Sequence, residues 1–127
     1  MTILLDSHAL IWFLTGNPRC SIRVREAVEA EHRILVSAAS AWEIATKVRL
    51  GRWPEAAEIA GNMVEVLAEH AFSTLAVTLD HGLLAGSLPG RHGDPFDRML
   101  AAQAVIEDLR LVSADPVFRS LGVQVLW

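Results

Sequence analysis

The segment ILLDSHALIWFL, residues 3–14, places an apolar strand candidate, a carboxylate and an apolar helix candidate in direct succession. Its first three residues show no alternation of polar and apolar side chains, which is typical of a strand covered on both faces. Short runs of the same kind recur along the chain, at residues 34–36, 75–77, 111–112 and 123–125. Helical segments between these runs predict an α/β fold, a three-layer α/β/α structure with a mainly parallel central sheet.

The helical segments are predicted at residues 8–14, 21–31, 38–50, 56–71, 79–88 and 95–109. The third is expected to end near residue 50, because Gly51 and Pro54 follow it. The sequence shows no long linker, internal repeat or low-complexity stretch. Its 127 residues are close to the commonest domain size, so we expect a single domain over residues 1–127.

Composition narrows the class of protein. The longest apolar run is Ala9–Leu14, whereas a membrane-spanning helix needs about twenty apolar residues, so no membrane span is expected. Met1 is followed by no basic lead-in and Asp6 comes almost at once, which is unlike a secretory signal. Cys20 is the only cysteine, which excludes an internal disulfide and a thiolate zinc site and favours a cytoplasmic location.

The net charge of −4, from eleven basic and fifteen acidic residues, weighs mildly against a nucleic-acid binder. Contacts of Lys and Arg with phosphate supply most non-specific affinity for nucleic acids. However, every basic residue except Lys47 is an arginine, and arginine binds phosphate in bidentate fashion. A bound divalent cation also reverses the sign of an acidic pocket. Charge alone therefore leaves nucleic-acid chemistry open.

Four acidic residues are expected at one edge of the sheet. Asp6 and Asp115 follow strand candidates, and ligands of parallel α/β sheets bind beyond the carboxyl ends of the strands. Glu43 and Asp97 lie near the starts of helices that enter from the same edge. Crowded carboxylates repel one another unless a hard cation joins them, and Mg²⁺ or Mn²⁺ suits such oxygen ligands. Because such a metal activates water and neutralises a phosphate under in-line attack, the pattern predicts phosphodiester hydrolysis.

The same acids also have a purely structural interpretation as helix-start residues. The pattern S-x-x-E at residues 40–43 matches a capping box, and D-x-x-D at residues 94–97 imitates one. Capping is the preferred interpretation of Asp94, and Asp80 is also interpreted as a cap. The two acids that follow strands are alternatively caps of the short segments after them. The prediction of a shared site rests on the agreement of several modest signals.

Four ordered motifs resemble those of PIN-domain proteins, and most closely those of the VapC-type toxins of prokaryotic toxin–antitoxin pairs. The motifs are LLDSHAL at 4–10, VSAASAWEI at 36–44, HGDPFDRMLAAQA at 92–104 and LVSADPVF at 111–118. The ending GVQVLW, residues 122–127, is similar to theirs as well. The resemblance spans the whole chain. It implies a PIN-like fold and a Mg²⁺- or Mn²⁺-dependent endoribonuclease that blocks translation until a cognate antitoxin inhibits it.

The resemblance also implies roles for individual residues. The metal-binding acids of the family match Asp6, Glu43, Asp97 and Asp115. Supporting or near-site positions of the family match Ser7, Ser113, Asp94 and Arg98. Apart from the resemblance, His92, in the loop before the last predicted helix, is expected to contact RNA or to form a hydrogen bond within the loop rather than to act as a general base. Arg91 is expected to contact RNA near the scissile phosphodiester, as is Arg98. The family and the apolar excess of the composition together favour a homodimer.

Several other residues are open to two interpretations. The helix Ala9–Leu14 is apolar on every side, so it is either wholly buried or docks a partner, and docking is preferred. Trp42 and Trp53 are expected to be core or dimer anchors rather than platforms on which bases stack. Basic residues also cluster in the segments 19–25 and 47–52. These basic segments are by default solvated faces, although either one could follow an RNA backbone.

Three other functions compete with the ribonuclease. An aspartyl phosphatase usually carries a second acid two residues after the first, where this chain has His8, and a receiver domain needs a late lysine, whereas the only lysine is Lys47. A binding module would use the acids as caps and solubilising charge and would bind no divalent metal. A nuclease acting on DNA is equally compatible with the residues, and the preference for RNA comes from the resemblance.

Overall fold

The computed structural model describes residues 2–30 and 33–127. The strands are β1 (Thr2–Leu5), β2 (Arg33–Ser37), β3 (Ser73–Leu75), β4 (Arg110–Val112) and β5 (Val125–Leu126). The helices are α1 (Ser7–Leu14), α2 (Ile22–Glu29), α3 (Ala38–Arg49), α4 (Ala57–Gly61), α5 (Met63–Glu69), α6 (Leu79–Ser87), α7 (Pro95–Ile106) and α8 (Val117–Ser120). None of the helices in the described ranges is long and apolar enough to cross a membrane.

The five strands form one parallel sheet in the order β3-β2-β1-β4-β5. The chain therefore runs outward from β1 through β2 to β3 and then returns to the other side of β1 for β4 and β5. Leu5 at the end of β1 pairs with Val36 on one side and with Val112 on the other. Because the strand order reverses beside β1, the crevice at its carboxyl end is the expected ligand position of the fold.

Both faces of the sheet are covered by helices, which explains why the strands lack alternation. Ile3 and Leu5 point into one core cluster, which includes Leu10 of α1. Leu4 points into the opposite cluster, which includes Leu100 of α7. These side chains are fully buried. The prediction of a three-layer α/β/α structure with a parallel central sheet is confirmed.

Several element boundaries differ from those predicted. The helix predicted over 56–71 is divided into α4 and α5, because Gly61 is a weak helix former and Asn62 leaves the helical conformation at φ −132°. The strand predicted at 75–77 lies two residues earlier as β3, an edge strand with exposed Ser73 and Thr74. The strand predicted at 123–125 is found as β5. The helix predicted over 21–31 is α2, capped by Ser21, and its predicted end at Glu31 lies outside the described residues.

The apolar helix α1 is only partly buried. Ala9, Leu10 and Ile11 have no exposed surface. Trp12 and its two successors in the chain are partly exposed at the edge of the same core cluster. The interpretation of a wholly buried helix is therefore wrong, and the docking of a partner on the exposed part stays a prediction. Trp53 is a core residue, as expected.

Candidate active site

Asp6 lies at the end of β1 and begins the site. Its backbone N–H donates to Val112 O at 3.0 Å, which holds it beside β4, and its Oδ1 accepts from Ala9 N at 2.7 Å as the N-cap of α1. Asp6 therefore caps α1, as its structural interpretation predicts, and it also lies at the carboxyl end of the central strand. Burial raises the pKa of Asp6 to about 7, with the charges of Asp97 and Glu43 adding to the rise. Hydrogen bonds from Ser113 and Ala9 oppose that rise without cancelling it.

Glu43 is buried in the second turn of α3. The helix begins at Ala38 and its N-cap is Ser37, whose hydroxyl accepts from Ala39 N at 3.0 Å. The capping box predicted for residues 40–43 is therefore wrong, because the helix starts three residues earlier than that pattern requires. Ser7 Oγ donates to Glu43 Oε1, and Lys47 Nζ lies 2.7 Å from Glu43 Oε2. Glu43 is only 4 % exposed, so it is not a solubilising surface charge.

Asp97 lies in the first turn of α7. The cap of this helix is Asp94, whose Oδ1 accepts from Phe96 N at 2.9 Å and from Asp97 N at 3.1 Å, as predicted. His92 Nε2 lies 2.8 Å from Asp97 Oδ2. Burial raises the pKa of Asp97, the charges of Asp94 and Glu43 raise it further, and the contact with His92 lowers it. The side chain of Asp97 is thus coupled electrostatically to that of Glu43.

Asp115 follows β4 and is exposed. Its backbone N–H donates to Ser113 Oγ at 3.1 Å, and its Oδ1 accepts from Val117 N at 3.0 Å. This contact lies at the start of α8, but Asp115 is not its cap, because the N-cap residue is Pro116 and the helix has no side-chain cap hydrogen bond. Asp115 and Asp6 line one cavity of about 240 Å³, together with His8, Trp12 and Ala114. Asp115 therefore shares a cavity with Asp6.

The acids are brought to one edge of the sheet but are not arranged as a finished chelate. In residues 2–30 and 33–127, no group of three or more His, Cys, Asp or Glu side chains could hold a metal ion in its present arrangement. In this arrangement Ser7 and Lys47 contact the two oxygens of Glu43, and His92 contacts one oxygen of Asp97. The donor set consists of carboxylate and hydroxyl oxygens, which fits a hard divalent cation in its chemistry.

Two buried serines form hydrogen bonds with two of the acids. Ser7 is 2 % exposed and donates to Glu43, and Ser113 is 1 % exposed and hydrogen-bonds Asp6. Sequence reasoning missed Lys47 as a member of the site. The spacing of Glu43 and Lys47 by one helical turn is a signal that could have revealed the pair.

Other residues singled out in the sequence lie elsewhere. Asp80 is exposed in the first turn of α6 and does not cap it, because Thr78 Oγ1 accepts from His81 N at 3.2 Å. Trp42 is 64 % exposed, so its interpretation as a core residue is wrong, and its ring contacts that of Phe96 edge-on at 4.8 Å. A role for Trp42 in a dimer stays a prediction.

Arg98 supports the site through the loop between α6 and α7. Its guanidinium donates to three carbonyl oxygens, those of Ala85 at 2.8 Å and His92 at 2.9 Å and that of Leu88. These contacts tie the end of α6 to the residue that bonds Asp97. Because all three nitrogens are engaged, Arg98 is a positioning residue rather than a phosphate ligand. Arg91 is exposed in the same loop.

We expect Arg98→Ala to lower the free energy of unfolding by about 2–3 kcal/mol, since hydrogen bonds from a charged group stabilise by about 1.5–3 kcal/mol each and water replaces only some of them. Urea unfolding checks this value, with the exposed Arg91→Ala as the matched control. Hydrogen exchange should speed up in the loop 88–94 of Arg98→Ala. Equal unfolding energies for the two variants would show that the carbonyl contacts do not hold the loop.

Comparisons with known proteins identify the family of this chain. A family model described as PIN domain matches residues 3–124. Ribonuclease VapC22 of Mycobacterium tuberculosis is 33 % identical over 120 residues, which cover 94 % of this chain and 91 % of that protein.

Solved structures share the fold at low sequence identity. The crystal structure of VapBC2 from Rickettsia felis bound to a promoter DNA fragment superposes with a TM-score of 0.72 at 14 % identity, covering 99 % of this chain and 98 % of that one. VapBC-1 from nontypeable Haemophilus influenzae gives 0.71 at 18 % identity, covering 99 % and 97 %. With a family model that spans nearly the whole chain and a relative of this identity, the chain belongs to the PIN-domain family.

Proposed function

We propose that this chain is a divalent-metal-dependent endoribonuclease, the toxin of a toxin–antitoxin pair. The observation that carries the proposal is the electrostatic coupling of Asp6, Glu43 and Asp97 at the carboxyl end of the central strand. Burying several carboxylates together costs free energy, and functional sites are where such costs are tolerated. A ribonuclease at 33 % identity over nearly the whole chain supports the choice of reaction and of RNA over DNA.

In this proposal Asp6, Asp97 and Asp115 hold Mg²⁺ or Mn²⁺, with Glu43 completing the acidic set. When bound, such an ion provides an activated water and neutralises charge on the phosphodiester. The chain's own residues orient the acids. Ser7 and Lys47 fix the carboxylate of Glu43, Ser113 bonds Asp6, and His92 holds one oxygen of Asp97.

The competing functions have less support. Glu43 is not a helix cap, because it is buried in the second turn of α3, whose N-cap is Ser37. The position where a phosphatase would carry its second acid is His8, whose ring lies 4.6 Å from that of Trp53. A receiver domain would need a lysine late in its chain, whereas the only lysine here, Lys47, forms an ion pair with Glu43.

Further parts of the proposal concern assembly. We expect a single domain over residues 1–127, acting in the cytoplasm, with a protein antitoxin as partner. A solved toxin–antitoxin complex from Klebsiella pneumoniae shares the fold, with a TM-score of 0.68 at 16 % identity. We also expect a homodimer, for which the exposed Leu79 and Leu83 on α6 offer apolar surface.

The test is incubation of total RNA with the purified protein and Mn²⁺, with and without a chelator. We expect cleavage that the chelator abolishes and that fresh Mn²⁺ restores, since the ion would supply the activated water and neutralise charge on the phosphodiester. Single-stranded DNA serves as the control substrate. Cleavage that persists in chelator would contradict the metal role, and cleavage of DNA alone would contradict the choice of RNA.

A further inference from the structure

A second pocket adjoins the acids on the side of α1 and α3. It has a volume of about 330 Å³. Its lining comes from α1, from the end of α3 and from the segments that follow these two helices, and consists of His8, Trp12, Arg19, Lys47, Arg52, Trp53 and Glu55. His8 and Trp12 also line the cavity that contains Asp6 and Asp115. The pocket is therefore contiguous with the cavity that contains these two acids.

Cationic groups predominate in this pocket, although the whole chain carries a net charge of −4. Arg19, Lys47 and Arg52 face a single carboxylate, Glu55, which accepts a hydrogen bond from Trp53 Nε1 at 3.0 Å. The ion pairs in the described part of the chain involve neither of the two arginines. Both arginines are exposed, so their guanidinium groups are accessible to a ligand.

The aromatic side chains of the pocket are packed against one another and against the cations. The ring of His8 lies 4.6 Å from that of Trp53 and 5.4 Å from that of Trp12. Arg19 lies 5.7 Å from the centre of the Trp12 ring, and Lys47 lies 5.7 Å from that of Trp53. Cation–π contacts of this kind hold charged groups in place beside aromatic surface.

Only some of the basic residues in the two segments noted in the sequence meet here. Arg19 and Arg52 are far apart in the chain and line the same pocket. Their neighbours Arg23 and Arg49 are exposed and do not line it. Arg25 donates to Asn17 O at 2.7 Å instead. The segment 19–25 therefore contributes one basic residue to the pocket, and the segment 47–52 contributes two.

We propose that this pocket binds a nucleotide of the RNA strand adjacent to the scissile phosphodiester. Single-stranded nucleic acid is recognised by cations along its backbone and by aromatic surface for its bases, and this pocket combines the two. Arg19 and Arg52 provide the phosphate contacts, and the exposed ring of His8 provides aromatic surface. The proposal rests on the proposed function, because the position of the scissile phosphodiester is taken from it.

The test measures the binding of a short fluorescein-labelled single-stranded RNA by anisotropy, without divalent metal, over a range of salt concentrations. Arg19→Gln and Arg52→Gln should each weaken binding and lower the slope of log K against log salt by about 0.7, the value expected when the protein neutralises one phosphate fewer on a single strand. The controls Arg23→Gln and Arg49→Gln, on the same two segments but outside the pocket, should leave the slope unchanged.

Unchanged binding in both pocket variants would overturn the proposal, as would an equal weakening in the controls. Retained RNA binding together with weakened binding of an antitoxin would overturn it in favour of a protein-binding pocket. A separate assay with Mn²⁺ distinguishes this proposal from the proposed function. Wild-type protein that binds RNA through the pocket but cuts none refutes only the nuclease, whereas pocket variants that bind RNA normally refute only the pocket.

Discussion

Asp6→Asn is expected to reduce metal-dependent RNA cleavage by roughly 10²–10³-fold or more, the size of effect that follows removal of one electrostatic group from a catalytic site. Asp6 is the residue that links the two parts of the site. It is coupled by charge to Glu43 and Asp97 and shares a cavity with Asp115. Asparagine has the same shape but no negative charge, so it removes the attraction for a cation and little else.

The fold should tolerate this substitution. Burial raises the pKa of Asp6 to about 7, compared with 3.8 for an ordinary aspartate. In the absence of metal the folded protein therefore holds this proton more tightly than the unfolded chain does, and stability is lost as pH rises from about 4 through 7. A neutral side chain avoids that loss, so the metal-free Tm of Asp6→Asn at pH 7 should equal or exceed that of the wild type.

The measurements are the rate of RNA cleavage with Mn²⁺ and the thermal unfolding curve, with and without Mn²⁺. Mn²⁺ should raise the Tm of the wild type and have a much smaller effect on Asp6→Asn, since a ligand stabilises only the state that binds it. The matched control is Asp80→Asn, which changes an exposed acid in α6. Wild-type cleavage by Asp6→Asn would remove this residue from the site.

The position of Asp6 could be predicted from the sequence because it depends on local signals. An unbroken apolar run indicates a strand covered on both faces, and the acid that ends such a run must lie at the carboxyl edge of a parallel sheet. The same argument places Asp115 correctly at the end of β4. The cap formed by Asp94 could also be predicted from the sequence, because Pro95 marks the first turn of α7.

The predicted start of α3 at residue 38 is confirmed, but the cap pattern at residues 40–43 misplaces its cap, because Ser37 and Ser40 are both good caps and lie one turn apart. The choice between them depends on where β2 ends, and Ser37 is the last residue of β2 that pairs with β3. The pocket beside the acids could not be predicted from the sequence either. Arg19 and Arg52 meet only because α1 and α3 pack together, and no local pattern records that proximity.

Glu43→Gln is expected to lower RNA cleavage by about 10²-fold, the upper part of the range for residues that orient or complete a metal site. The carboxylate is buried, bonded to Ser7 and paired with Lys47. Its charge also raises the pKa values of Asp6 and Asp97, so the three groups act on one another directly. Removing that charge reduces the negative potential available to hold a cation between them.

The glutamine variant tests the negative charge of Glu43 separately from the size and hydrogen bonding of its side chain. Its amide oxygen still accepts from Ser7, and Lys47 is 32 % exposed at its side chain, so water takes the place of its ion-pair partner. The free energy of unfolding should therefore fall by less than the roughly 3–5 kcal/mol that removal of one partner of a fully buried ion pair costs. A purely structural Glu43 would tolerate this substitution and keep full activity, whereas a member of the acidic site loses activity without unfolding.

The decisive comparison measures cleavage, unfolding in urea and Mn²⁺ binding by calorimetry for Glu43→Gln beside Glu26→Gln, which changes an exposed acid on α2. We expect only the first variant to bind Mn²⁺ more weakly and to cut RNA more slowly. Cleavage within a few-fold of the wild type would mean that Glu43 serves only to hold Ser7 and Lys47. The site would then consist of the three aspartates alone, and the burial of a fourth carboxylate beside them would be a feature of helix packing.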